Sequence, residues 1–261
     1  MRSESKPPER GLPMHILLIR HAEPDYTVDS LTPKGRVEAE LLSQRLIRYP
    51  IQDFYVSPLG RARDTAACTL DKLNREAEVL PWLKEFSGRY PDPETGKLRL
   101  AWDVMPRIWN DYPGVWNIHT WLENALFDEG DIREVWQQTT DGVDALLARY
   151  GYEKDGPVWR CDHNTDMTIA LFCHFGIAMA VLGYLTEMSP MVLWHRFLCL
   201  PSSVTEIVTE ERALGEVSFR TIRLGDLTHL ESAGKPASTA GLFPMCYTGI
   251  DSTDPAVNGT L

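Results

Sequence analysis

The chain has 261 residues, with 26 Lys or Arg against 37 Asp or Glu and a formal net charge of −11. Apolar residues make up 43% and charged residues 24%, enough to bury a full core, so wholesale disorder is excluded; the 18 Gly and 18 Pro follow no period, which excludes collagen-like and coiled-coil arrays. The acidic balance argues against nucleic acid or an anionic membrane as partner, because both need a basic face.

Residues 1–13 are polar and proline-rich, lack the apolar centre of a secretory signal, and read as a flexible lead. Met14–Ile19 (MHILLI) is an apolar run cut off by Arg20-His21, the pattern of a parallel strand buried on both faces. Thr32-Pro33 predicts a helix start, with Thr as N-cap and Pro at the first helical position. Val37, Leu41, Leu42 and Leu46 carry that helix at the right spacing to about Arg48. A strand over Asp53–Ser57 stops at Pro58, and a helix over Gly60–Asn74 and a strand over Glu76–Leu80 follow. Alternating strands and helices with short links predict an α/β fold.

Between Trp82 and Trp136 the alternation lapses, and six of the eight tryptophans fall there. This stretch reads as an insertion that either roofs a pocket or packs as a satellite core. Asp131–Tyr150 restores helical spacing and Gly151 closes it. Residues 167–185 (MTIALFCHFGIAMAVLGYL) have the length of a membrane span, but a histidine at the centre of hydrocarbon is costly. A buried strand turning at His174-Phe175-Gly176 into a buried helix is expected instead, with no membrane partner. Val204–Thr209 and Val217–Leu224 read as two late strands. The expected architecture is a three-layer α/β/α sandwich with a mostly parallel central sheet over residues 14–230. An inserted helical or irregular cap occupies about 87–131, and a tail, ordered in part, covers 231–261.

Five cysteines without a Cys-x-x-Cys pair predict free thiols in a reducing, cytoplasmic setting, not a disulfide framework. Cys161-Asp162-His163 falls short of a closed zinc site in count and spacing. No metal or cofactor is expected.

Three segments place polar residues just after a strand, where open α/β sheets bind ligands: Arg20-His21, Ser57-Pro58-Leu59-Gly60-Arg61, and His174-Phe175-Gly176. Two arginines and two imidazoles from distant parts of the chain suit a phosphate. A phosphoryl group in transfer needs preorganised donors, and arginine offers a planar fork that stays charged. A neutral imidazole in the same pocket can attack phosphorus. Taken singly, each piece also fits a surface loop, a solvated helix position or a hydrogen-bonded core histidine.

LIRHAEPDY (18–26), LTPKGRVEAELL (31–42) and VSPLGRARDTA (56–66) resemble the histidine phosphatase superfamily, the phosphoglycerate-mutase-like proteins. LKEFSG (83–88) is similar to that family's Leu-x-Glu segment, and CHFG (173–176) to its second histidine. The resemblance implies His21 as the nucleophile that becomes phosphorylated, with Arg20, Arg61 and His174 holding the phosphoryl oxygens. It implies Glu85 as the acid that protonates the leaving oxygen and then the base that activates water. The sequence departs from the family at Asp64, where Gln is common, and at Ala22, where Gly is common. Phe86-Ser87-Gly88 is an unusual continuation of Glu85, and Glu23 and Asp25 are rival carboxylates. The implied activity is hydrolysis of a small phosphorylated metabolite. A mutase that returns the phosphoryl group to substrate, or a non-catalytic phosphate-binding regulator on the same scaffold, are the alternatives. Oligomeric state is not legible.

Overall fold

A computed structural model describes residues 12–243. Eight strands form one sheet: β1 (His15–Arg20), β2 (Ile51–Val56), β3 (Glu78–Val79), β4 (Tyr152–Asp155), β5 (Val158–Cys161), β6 (Thr168–Cys173), β7 (Val204–Ala213) and β8 (Glu216–Asp226). Their order across the sheet is β3-β2-β6-β1-β7-β8-β5-β4. The half from β3 to β1 is parallel, and every pairing from β1 to β4 is antiparallel. The sheet expected to be mostly parallel is therefore mixed, with parallel pairing confined to the half that carries the predicted site. Locally closed hairpins make the other half antiparallel: β4 and β5 meet at Gly156, and β7 and β8 at Gly215, both at positive φ.

Helices cover both faces. On one side lie α1 (Pro33–Leu46) and α2 (Gly60–Leu73); on the other lie α3 (Ile132–Ala148), α4 (Phe175–Thr186) and α5 (Pro190–Arg196). The period-two geometry of strands sorts the core. Leu17 and Ile19 of β1, with Ala170 and Phe172 of β6, join Leu42, Leu46, Ala62 and Ala66 under α1 and α2. Ile16, Leu18, Ile169 and Leu171 join the larger core under α4. Each buried Leu or Ile contributes about 1.5–3 kcal/mol, which is why the central strand is apolar on both faces.

Local signals set the boundaries. Thr32 Oγ1 accepts the Gly35 N–H at 3.0 Å and Pro33 occupies the first turn of α1, as its sequence predicts. The run 167–185 resolves into β6 and the 12-residue α4, and no helix among the described residues is long and apolar enough to cross a membrane.

Residues 81–127 form a hairpin (Arg89–Pro91 with Leu98–Leu100) and short 3-10 turns. They are no satellite: Val104, Ile108, Val115, Trp121 and Phe127 are continuous with the core under α4. Trp121 sits edge-on to Trp136, Trp194 and Phe127. Of the stretch read as a tail, residues 231–243 are described, and Ser238 is fully buried. The expected lead, apart from residues 12 and 13, lies outside the described residues, as does 244–261.

Candidate active site

Sheet register sets the site. Arg20 pairs with Cys173, and Phe172 with Val56, so β1, β6 and β2 end level with one another. The chain leaves them locked to its neighbours: His21 N–H donates to Cys173 O and Ser57 N–H to Phe172 O, both at 2.9 Å. β7 begins at the same edge, where Ser202 N–H donates to His21 O at 3.0 Å. Four polar segments thus meet at the carboxyl end of the parallel strands, where the connection reverses.

His21 and His174 face each other with ring centroids 5.1 Å apart, and both are buried. His21 Nδ1 lies 2.7 Å from the Ala22 carbonyl, an acceptor only, so that nitrogen carries the proton and Nε2 keeps its lone pair. Burial first, then the charges of Arg20 and Arg61, hold His21 well below its ordinary pKa; the Ala22 carbonyl opposes them. The ring is neutral at pH 7. His174 is depressed likewise by burial and then by His21, Arg61 and Arg20. Ser57 Oγ accepts the Leu59 N–H at 3.3 Å and lies 2.7 Å from His174 Nε2. The tautomer in which Ser57 donates to Nε2 places the ring's proton on His174 Nδ1, which has no partner in the protein.

Arg20 donates Nη1–H to Cys199 O at 2.6 Å, and Arg61 donates Nη1–H to Asp29 Oδ1 at 2.7 Å. Arg20 Nε, Arg61 Nε and His174 Nδ1 are buried without a hydrogen-bond partner in the protein. Unmatched buried polar atoms are costly unless they serve a ligand, and these three belong to groups predicted to hold phosphate. Tyr26 links the two arginines. The Arg61 guanidinium lies over its ring, 5.4 Å from the centroid. Its hydroxyl and Arg20 Nη2 lie 3.1 and 3.0 Å from the point a Cβ on Gly241 would occupy.

Glu85 reaches the same region from the segment that follows the 3-10 turn Pro81–Leu83. Its Oε1 accepts the N–H groups of Phe86 (2.8 Å) and Ile177 (3.1 Å), the latter in the first turn of α4 three residues past His174. Burial raises its pKa, against the Phe86 N–H, Arg20, Arg61 and the Ile177 N–H. The rival carboxylates are engaged elsewhere. Glu23 accepts from Thr32 Oγ1 and Ser238 Oγ, and Asp25 from the backbone and hydroxyl of Thr27. Asp64, at the family's Gln position, accepts from Ser30 Oγ at 2.5 Å.

All five predicted residues therefore share one region, and the structure adds three that the sequence reading passed over. Asp29 caps Gly60 N–H through Oδ2 at 2.7 Å while pairing Arg61 through Oδ1. It sits at φ 48°, a left-handed conformation that Asp tolerates. Gly60 permits the approach, because a Cβ there would lie 2.0 Å from the Asp29 carbonyl. Tyr26 is the second, and its aromatic-in-a-loop signal was weak. Trp102 is the third: its Nε1–H donates to Phe86 O at 3.1 Å, and its ring stands beside Glu85 at Gly176. No group of three or more His, Cys, Asp or Glu side chains that could hold a metal occurs among the described residues, Cys161-Asp162-His163 included.

The pattern of the histidine phosphatase superfamily (branch 1) matches residues 16–220. A Schizosaccharomyces pombe protein named as a probable phosphatase is 23% identical over 233 residues, 84% of this chain and 96% of its own length. A 2,3-bisphosphoglycerate-dependent phosphoglycerate mutase from Thermoplasma acidophilum is 31% identical over 120 residues, 35% of this chain and 60% of its own. Among solved structures, Entamoeba histolytica phosphoserine phosphatase in complex with phosphoserine superposes with a TM-score of 0.56. It is 18% identical, covering 83% of this chain and 99% of that one. Mycobacterial glucosyl-3-phosphoglycerate phosphatase superposes with a TM-score of 0.55 at 19% identity, covering 82% and 99%.

Proposed function

The chain belongs to the histidine phosphatase superfamily, and from that premise we propose that it hydrolyses small phosphomonoesters through a phosphohistidine intermediate. One observation carries the reading: buried, unpartnered nitrogens of Arg20, Arg61 and His174 gathered around a neutral His21 whose Nε2 is free to attack. In the first step Nε2 bonds to phosphorus as the phosphorus–oxygen bond to the alcohol breaks, and the Glu85 carboxyl gives its proton to the departing oxygen. In the second, the Glu85 carboxylate takes a proton from water, whose oxygen displaces the phosphoryl group from His21 and releases phosphate. The Ala22 carbonyl, on Nδ1–H, stabilises the positive charge the ring carries while phosphorylated. Arg20, Arg61 and the His174 Nδ1–H hold the equatorial oxygens. Side chains supply both nucleophile and countercharge, and the reading gives a metal ion no role. Cys68, Cys161, Cys173 and Cys199 are free thiols, which suits a reducing compartment, and we place the protein in the cytoplasm.

The test is turnover of p-nitrophenyl phosphate between pH 5 and 8 by wild type and His21→Ala, with trapping of acid-labile protein-bound phosphate. Wild-type turnover and trapping, both lost in His21→Ala, are expected. A wild type without turnover at any of these pH values would overturn the reading in favour of a binding protein. The likeness to a phosphoglycerate mutase favours one second reading, transfer back to substrate. Incubation with 3-phosphoglycerate decides it: isomerisation with little free phosphate marks a mutase, and stoichiometric phosphate marks a hydrolase.

A further inference from the structure

Beyond the phosphoryl group, an ester bound here must place its alcohol oxygen at Glu85, which meets an aromatic ring on its Gly176 side. A Cβ on Gly176 would lie 2.8 Å from both Glu85 Oε1 and Trp102 Cδ1, so the carboxyl and the indole edge border the same point at the start of α4. Trp102 is only partly buried, and its Nε1–H is spent on Phe86 O, which fixes the ring and leaves its faces apolar. The ring of Phe243, from the opposite end of the chain, stands 6.2 Å from Trp102 at a 40° tilt. The segment leading to Phe243 is anchored by Ser238, whose hydroxyl donates to Glu23 at 2.5 Å, and it passes Arg20 and Tyr26 at Gly241.

Charge narrows the choice. The cations whose field reaches both His21 and His174 are Arg20 and Arg61, and a phosphoryl dianion uses both. Arg20 and Arg61 are also cations that act on Glu85, so with both on the phosphoryl group an alcohol carrying a carboxylate would bring a further negative charge beside Glu85 that they no longer meet.

We infer that Trp102 and Phe243 form an aromatic slot for the leaving group, selecting phosphomonoesters of uncharged, ring-bearing alcohols over esters whose alcohol carries a carboxylate. This rests on the phosphatase reading and names the substrate class for the same pocket. Ring-on-ring contact in such a slot amounts to about tenfold in kcat/KM.

The experiment compares kcat/KM for benzyl phosphate, glycerol phosphate, phosphoserine and 3-phosphoglycerate, all esters of unactivated alcohols, in wild type, Trp102→Ala, Trp102→Phe and Phe243→Ala. Wild type is expected to favour benzyl phosphate about tenfold or more over both carboxylate-bearing esters. In Trp102→Ala the ratio of benzyl to glycerol phosphate falls about tenfold, and in Phe243→Ala it falls severalfold. Trp102→Phe, which keeps a ring and loses the bond to Phe86 O, retains most of the ratio, separating ring contact from support of Glu85. A preference for phosphoserine or 3-phosphoglycerate, or a ratio unmoved in Trp102→Ala, overturns the slot while p-nitrophenyl phosphate turnover leaves the phosphatase reading standing. Absence of turnover with every ester, p-nitrophenyl phosphate included, overturns the reading itself and the slot with it.

Discussion

Replacing Glu85 by Gln keeps the acceptor that positions this side chain and removes the proton it would deliver. The Gln carbonyl oxygen still accepts the N–H groups of Phe86 and Ile177, held at 2.8 and 3.1 Å in wild type, so the pocket keeps its shape. Loss of a positioned proton donor lowers turnover by roughly 10²–10⁴-fold, about 3–5 kcal/mol of barrier. That loss falls fully on an alkyl ester such as benzyl phosphate. p-Nitrophenolate leaves without a proton, so its release in the first step stays within about tenfold of wild type. The second step still lacks a base, so phosphorylated His21 accumulates. Rapid-mixing kinetics should show a burst of p-nitrophenolate, and quenched samples should carry acid-labile phosphate on the protein. The pH profile gives a second check. Burial lifts the Glu85 carboxyl and lowers the His21 imidazole, so wild-type activity falls on the acid side as His21 gains a proton and on the alkaline side as Glu85 loses one. Glu85→Gln loses the alkaline limb only. Benzyl phosphate turnover within threefold of wild type, or an equal loss of the first-step rate with both esters, would refute the assignment.

Three further outcomes follow from particular contacts. Ser57→Ala removes the hydroxyl 2.7 Å from His174 Nε2 and frees that ring's tautomer; kcat/KM should fall about 10–100-fold, with a changed His174 nitrogen spectrum, and a loss under twofold would contradict the positioning role. Burial raises the Glu38 carboxyl to about 7, so the stability tied to its proton is full below the unfolded pKa of about 4.3 and lost as pH rises to 7. Glu38→Gln keeps an acceptor for the Glu23 N–H and should raise stability at pH 8 by on the order of 2 kcal/mol but not at pH 4; thermal melts at the two pH values check this, and equal melts at pH 8 would refute it. Gly142→Ala gains about 1 kcal/mol of helix propensity, but its Cβ would lie 2.4 Å from Trp82 Cγ, so overpacking of about 1–3 kcal/mol should win in denaturant titration; a stabilised variant would show that Trp82 yields freely.

Much of this was legible from the sequence because its signals are local. An apolar run cut by Arg20-His21, a Thr-Pro helix start and a strand turning at His174 each announce themselves within ten residues. The antiparallel half of the sheet was harder. In Tyr152–Cys161 only Tyr152, Trp159 and Cys161 are buried, too sparse a pattern to mark two strands, and the turn at Gly156 was the sole clue. Asp29 was invisible because its role exists only across 32 positions, where it meets Arg61. Glu85 entered through family resemblance and not through physics. Its environment depends on Ile177, 92 residues away, and no local pattern distinguishes it from a surface carboxylate.

The order of strands also constrains how the molecule is made. β1 is translated first, yet its two neighbours are β6, beginning at Thr168, and β7, beginning at Val204. At ribosomal speeds about 150 residues separate β1 from its first partner, roughly 10–30 s of synthesis during which a greasy hexapeptide has both edges open. A strand in that condition is a natural client for holdase chaperones and a ready seed for aggregation when expression outruns them.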